Sequence, residues 1–250
     1  MKLRQLFFRC AVGLCFIAMV CGCYSPKKSY LIGIDPAWYS LQLMGKEANV
    51  SAFTTELLKE ISHREKVWFK RINKNWDTLL DCLQDKDCQG VITSLHPHIF
   101  HLRNYRFSHL FLATGPVLVI REQTTLQSLD QLKGKEIVVD TQANKALLIQ
   151  LYPGVTVRYY HTIPEALNQL VNNVIDGALI DVILAKAFVQ NLYLGKVKIG
   201  SAPLNDQGLR LVTLQEESRE LIDSFNAGLK KIQENGVYDA LLKKWDLVPS

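Results

Sequence analysis

Apolar positions in this chain recur at two spacings, one suited to strands and one to helices. Residues 30–35 form a short apolar run closed by Pro36, which predicts a strand leading into a loop. Residues 51–62 place Phe53, Leu57, Leu58 and Ile61 on one helical face, and 67–72 are rich in strand-forming residues. Asn75 then opens a segment in which Trp76, Leu79, Leu80 and Leu83 keep the i, i+3, i+4, i+7 spacing of a capped helix. Residues 90–95 return to strand. A strand-helix-strand-helix-strand series predicts a mainly parallel sheet with helices on its faces.

The series then begins again. Strands are predicted at 137–140, 155–160 and 178–180, with a helix at 144–152 between the first two. Thr162-Ile163-Pro164-Glu165 reads as a capping box with proline in the first turn, so a helix runs from there to about residue 173. One more strand at 209–213 and helices at 217–235 and 237–245 close the chain. No segment repeats in sequence, yet the architecture does, and two α/β lobes follow. Open α/β sheets bind ligands at the carboxyl ends of their strands, so a cleft between the lobes is the expected site.

The first 22 residues determine where these lobes fold. They carry Lys2, Arg4 and Arg9, no acidic residue, and an apolar run over 10–20 that leads to Val20-Cys21-Gly22-Cys23. A basic start, a short apolar stretch and small residues at a cleavage point make an export signal, and the run is short for a bilayer span. The segment resembles a bacterial lipoprotein signal, whose cleavage leaves a lipidated cysteine. Cys23, preceded by Gly22 and with Val20 three positions back, fits this pattern better than Cys21. Cleavage without lipid, or retention of 1–22 as an anchor, is the alternative. In each case the folded part faces an extracytoplasmic space, with 23–29 as a linker.

Beyond Cys23 only Cys82 and Cys88 remain, flanking Leu83-Gln84-Asp85-Lys86-Asp87. In an oxidising compartment a disulfide that holds this turn is expected; the alternative is two free, half-buried thiols. A Cys-x-x-Cys redox motif is absent. The 29 basic and 24 acidic residues leave a net charge of +2 once Lys2, Arg4 and Arg9 are removed, with no basic stripe to hold nucleic acid.

Several segments, taken in order, carry a family resemblance. They are "IGIDPAWY", "AFTTELLKEIS", "NWDTLLDCLQ", "FSHLF", "LDQLKGKEIVV", "IDGALID" and "NGVYDALLKKWDL". Together they resemble the solute-binding proteins of ABC importers for polar amino acids, the group that includes the lysine/arginine/ornithine, histidine and glutamine binders. The resemblance implies a two-lobed periplasmic-binding-protein fold of type II, with 30–116 and 204–250 as lobe 1 and 117–203 as lobe 2. The chain would cross near 114–117 and return near 200–204. It also implies closure around one solute, delivery to an ABC permease in the membrane, action as a lipid-anchored monomer, and no cofactor.

The resemblance assigns roles residue by residue. Asp181, matching the second aspartate of the family's Asp-Ala-x-x-x-Asp, is the expected ammonium partner, with a helix N-cap as its other possible role. Asp35 matches an acidic residue of the first loop and could equally be a turn residue before Pro36. Trp38 and Trp76 match aromatics that wall the ligand, although a tryptophan at helical spacing also suits a core. Thr93, Ser94 and Asn144 are expected to bind the carboxylate.

The stretch 90–109 holds four of the six histidines, His96, His98, His101 and His109. The family's carboxylate-binding arginine falls on His101, and its nearby Ser/Thr positions fall on His96 and His98. The family's Gly-Thr-Thr helix start falls on Gln142-Ala143-Asn144. The carboxylate side is therefore rewritten while the ammonium side is kept. His101, or Arg103 after a shift in register, could supply the charge. Alternatively the solute is a modified amino acid or a small peptide, or His96, His98 and His101 bind a metal. That spacing is loose, with no Cys or acidic residue beside it, so no metal site is assigned. For His98 and His109 an exposed polar loop is the preferred reading.

A dehydratase-like enzyme on the same fold, or a sensory or scaffold lipoprotein, are the competing classes. The sequence has no nucleophile beside a base, no Gly-x-Ser-x-Gly and no phosphate loop, so no enzyme is expected. The family resemblance implies a polar amino acid as the solute, glutamine-like by family membership, and the absence of an obvious acidic cluster disfavours lysine or arginine.

Overall fold

The structure is a computed structural model and describes residues 28–247 apart from 39, 40, 42 and 125–128. The signal segment 1–22, the lipid site at Cys23 and residues 24–27 of the linker lie outside the described residues.

The chain opens with β1 (Ser29–Ile34), α1 (Glu47–Glu65) and β2 (Trp68–Asn73). A 3-10 turn (Trp76–Thr78), α2 (Asp81–Gln84), β3 (Gly90–Thr93), β4 (Tyr105–Phe107) and β5 (Leu112–Ala113) follow. The second unit comprises β6 (Pro116–Arg121), β7 (Glu136–Val139), α3 (Gln142–Leu151), β8 (Thr156–Tyr159), α4 (Ile163–Val171), β9 (Gly177–Asp181), α5 (Val182–Gln190) and β10 (Val197–Ile199). The chain ends with β11 (Gly208–Leu214), α6 (Arg219–Glu234) and α7 (Val237–Lys244).

Two sheets result. The first runs β2-β1-β3-β11-β4, with β5 also paired to β11; the second runs β10-β6-β9-β7-β8. β1 is parallel to β2 and β3, and β7 is parallel to β8 and β9, as alternating strands and helices require. The later members depart from the expected parallel pattern: β11 runs antiparallel to β3, β4 and β5, and β6 runs antiparallel to β9 and β10. Each is a strand that enters its sheet from the other lobe, and so arrives in the reverse direction.

The helices form where the apolar spacing placed them. Phe53, Leu57, Leu58 and Ile61 of α1 are buried, in one cluster with Phe225 and Leu229 of α6. Lys66, at φ 55°, ends α1 in the left-handed conformation. At the start of α4, Glu165 N donates to Thr162 Oγ1 (3.3 Å) and His161 N donates to Glu165 Oε2 (3.2 Å). The box therefore closes on His161, one residue before the cap. The segment after Asn75 differs from the single helix expected: it winds as a 3-10 turn and then one short helix. Its apolar face is nevertheless buried, with Leu79, Cys82 and Leu83 packed under Val91 and Val212. Cys82 and Cys88 are joined by a disulfide with Cα atoms 5.5 Å apart.

The two crossings run side by side. Thr114 N donates to Gln207 O (2.9 Å), and Leu204 N donates to Pro116 O (2.9 Å). On the approach to the return, Gly200 N bonds to Leu118 O of β6 (2.7 Å). Among the described residues no helix is long and apolar enough to cross a membrane.

Candidate functional site

The topology brings several strand ends to one place. β3 ends at Thr93, opposite Arg210 near the start of β11, and β9 ends at Asp181, opposite Pro116 at the start of β6. Val182 N donates to Gly115 O (3.1 Å), fixing the end of β9 against the first crossing. A cavity of about 200 Å³ lies there. Ser94, His96, Thr114 and Gln207 supply its polar wall, Leu43, Ile183 and Leu184 much of its apolar wall, and Asp181 its carboxylate. Drug-sized ligands fill pockets of about 300–1,000 Å³, so this one suits a small molecule.

Asp181 occupies the N-cap position of α5, but its side chain makes no cap hydrogen bond. The carboxylate is thus left to the cavity. Burial, with a smaller contribution from the charge of Asp140, pushes its pKa up from 3.8 to about 6. Asp140, at the end of β7, accepts from Asn144 Nδ2 (2.7 Å). Asn144 is itself buried, and its backbone N–H donates to the Thr141 cap (3.1 Å). Its side chain is therefore turned toward Asp140, within lobe 2.

Of the other expected residues, Ser94 lines the cavity. Thr93 is buried directly behind it, its Oγ1 accepting from Leu95 N (3.2 Å). Asp35 is buried and its Oδ1 accepts from Ala37 N (2.9 Å), the arrangement of a turn. Trp38 lies in the core of lobe 1 with 4 % of its surface exposed, and its Nε1 has no acceptor among the described residues. Its φ of 48° is left-handed, a conformation that costs a bulky residue on the order of 1–3 kcal/mol and is offset here by burial of the ring. Trp76 is partly buried against the cluster of Leu79 and Leu83.

The histidine segment separates into distinct environments. His96 lines the cavity and its Nε2 stands 2.6 Å from Asp206 Oδ1. His101 turns back on its own loop, with Nδ1 2.8 Å from His96 O. His98 stacks on Phe100 at the surface, ring centroids 5.1 Å apart, and His109 is exposed. Arg103 is placed elsewhere: it lines a second pocket with Tyr105, Leu214 and Glu217. Leu214 pairs with Tyr105 while Arg210 pairs with Thr93, so that pocket lies at the opposite end of the sheet. Among the described residues no group of three or more His, Cys, Asp or Glu could hold a metal.

Two charged residues that the family motifs do not mark join this site. Asp206 bridges His96 and Arg210: Arg210 Nη2 donates to its Oδ2 (2.9 Å) while Oδ1 faces His96. Burial works against the ionised form of Asp206, but the His96 hydrogen bond and the two neighbouring charges outweigh it and hold the carboxyl below its usual range. A lone charged residue inside the mainly apolar run of β11, with an aspartate four residues earlier, was the available signal.

Two lobes joined by paired crossings, with a small cavity of mixed polar and apolar lining at the junction, make a bilobal α/β architecture with a cleft. The chain belongs to the bacterial extracellular solute-binding proteins, family 3, whose profile matches residues 30–247. Its matched relatives bear the names of binding proteins. The chain is 24% identical to the arginine-binding extracellular protein ArtP of Bacillus subtilis, over 90% of this chain and 88% of that protein. It is 23% identical to the L-cystine-binding protein TcyJ of Escherichia coli, over 98% and 97%. In fold it is similar to the L-cystine solute receptor of Neisseria gonorrhoeae in its unliganded open conformation, with a TM-score of 0.70 at 14% identity over 90% of this chain and 95% of that one. It is also similar to the second substrate-binding domain of GlnP from Lactococcus lactis, with a TM-score of 0.64 at 18% identity over 88% and 96%.

Proposed function

We propose that this protein captures a neutral polar amino acid, glutamine-like in size and polarity, and delivers it to an ABC permease from a lipid anchor at Cys23. The observation that carries the reading is Asp181, a carboxylate at a strand end, unspent on its helix, facing a cavity sized for a small molecule. An ammonium meeting that carboxylate away from water forms a charge-assisted contact about twice as strong as a neutral one. Among the described lining residues Asp181 is the one carboxylate, which leaves none for a cationic solute side chain. Curated relatives bearing the names of arginine-, cystine- and histidine-binding proteins support an amino acid as the solute class.

Calorimetry against the twenty L-amino acids tests this. A neutral polar amino acid is expected to bind, and Asp181→Asn to weaken it by more than about tenfold. Unchanged affinity in Asp181→Asn removes that residue from the site, and tighter binding of arginine or lysine removes the neutral-solute reading. Labelled palmitate is expected to enter the full-length protein in cells and not Cys23→Ser; equal labelling of both places the anchor elsewhere.

A further inference from the structure

Arg210 is an unusual residue for its position. It sits in β11 between Leu209 and Leu211, both fully buried, and only 6 % of its side chain is exposed. Residues directly opposite on antiparallel strands point to the same face, Cβ atoms about 4.5–5.5 Å apart. Arg210 therefore projects beside Thr93, on the face that carries Val91 and Val212. Its Nη2 bonds to Asp206, but its Nη1 is fully buried with no acceptor among the described residues. A guanidinium removed from water needs acceptors along its fork, and a single-point contact to a half-exposed carboxylate is a poor return for its desolvation.

The surroundings of this unsatisfied donor indicate what it would take. Asp206 links Arg210 to His96, and His96, Ser94, Gln207 and Gly208 line the cavity. The guanidinium is thus linked to the cavity wall by two hydrogen bonds, to Asp206 and from Asp206 to His96, on the side of lobe 1. Asp181 stands across from it on the side of lobe 2. An α-amino acid carries its carboxylate and ammonium on one carbon and needs opposite charges on two sides. His101, bonded to its own loop, and Arg103, at the far end of the sheet, do not supply the positive side.

Building on the amino-acid reading above, we propose that Arg210 is the cation that receives the solute carboxylate, through Nη1, with Asp206 and His96 holding the guanidinium in position. The positive charge of the site thus comes from the returning strand rather than from the loop after β3. Arginine offers two parallel donors to a carboxylate, which a histidine on that loop cannot do.

The test compares two ligands on the same protein: the L-amino acid that binds wild type most tightly in the calorimetric screen, and its α-carboxamide. Arg210→Gln is expected to lose about tenfold or more in affinity for the free amino acid, while the carboxamide changes by about twofold or less. A purely structural role lowers both equally, so equal losses overturn the proposal, as does an Arg210→Gln protein that binds the free amino acid like wild type. Should Arg210→Gln not fold, the guanidinium resonances of Arg210 in the wild-type protein give the answer by NMR. They are expected to shift on titration with the free amino acid and not with the carboxamide; stationary resonances with both overturn the proposal. Failure of every amino acid to bind wild type is a different result, and it overturns the capture reading together with this one.

Discussion

In the proposed reading, Asp181 is a residue that trades stability for binding. Its pKa in the folded chain, about 6 against an ordinary 3.8, means that the folded state holds this proton more tightly than the unfolded state. Stability from this residue is therefore greatest below 3.8, falls as pH rises from 3.8 to about 6, and stays reduced above that. The displacement corresponds to at most about 3 kcal/mol. Asp181→Asn removes the cost, so in the absence of solute it should unfold at a higher temperature than wild type at pH 7, with the difference closing toward pH 4. A lower melting temperature at pH 7 would show that the carboxylate has a stabilising partner. Binding as proposed has the opposite sign, because a solute ammonium held by Asp181 needs the ionised carboxylate. Near pH 5.5 binding should release a proton, seen as a calorimetric enthalpy that changes with the ionisation heat of the buffer, and at pH 7.5 this dependence should vanish.

At the scale of elements, the stretch from Trp76 to Gly90 holds only a 3-10 turn and one short helix before β3 begins, and the Cys82–Cys88 bond ties it together. Closing so small a loop is worth about 2 kcal/mol in the chain-entropy view. The double variant Cys82→Ser, Cys88→Ser should lose about that much in denaturant unfolding, and dithiothreitol should lower the melting temperature of wild type but not of the variant. Equal sensitivity of both to the reductant would show that the bond contributes nothing. How far such elements can be read from sequence depends on period. α1, α4 and α6 were legible because their apolar faces span several turns, and the Thr162 cap because its chemistry is local. β4, β5 and β10 are two or three residues long, too short to display alternation, and β6, buried at nearly every position, has no polar partner positions to mark it as a strand. Asp181 was legible because a strand end and a family motif coincide there. Arg210 was not, because its importance depends on pairing with Thr93, more than a hundred residues away in the chain.

At the scale of the molecule, the same long-range pairing makes the two lobes one device. Each lobe has its own buried clusters, yet Ile183 of α5 belongs to the core of lobe 1, and Lys186 of α5 donates to Leu247 O near the chain end. The lobes thus touch on one side of the cavity and are joined through the crossings at 113–116 and 204–208. Gly115 sits where the crossings are closest. A Cβ there would lie 2.2 Å from Asn205 Oδ1 and 3.2 Å from Asn205 O. Asn205 Oδ1 accepts from Gln207 N (3.1 Å), and Gln207 O accepts from Thr114 N and Gly115 N. One methyl group would therefore push apart the hydrogen bonds that keep the crossings parallel, while leaving the Asp181 carboxylate and the Ser94 hydroxyl unchanged. Gly115→Ala should lose about 1–2 kcal/mol of stability, and its affinity for solute should fall by several-fold without any loss of a polar contact to the ligand. Small-angle scattering separates this from local damage. If the crossings govern closure, wild type contracts on adding the solute that calorimetry identifies, and Gly115→Ala contracts less at the same fractional occupancy. Equal contraction with unchanged affinity would mean that Asn205 moves aside freely, and that the motion between the lobes is set on the α5 side of the cavity instead.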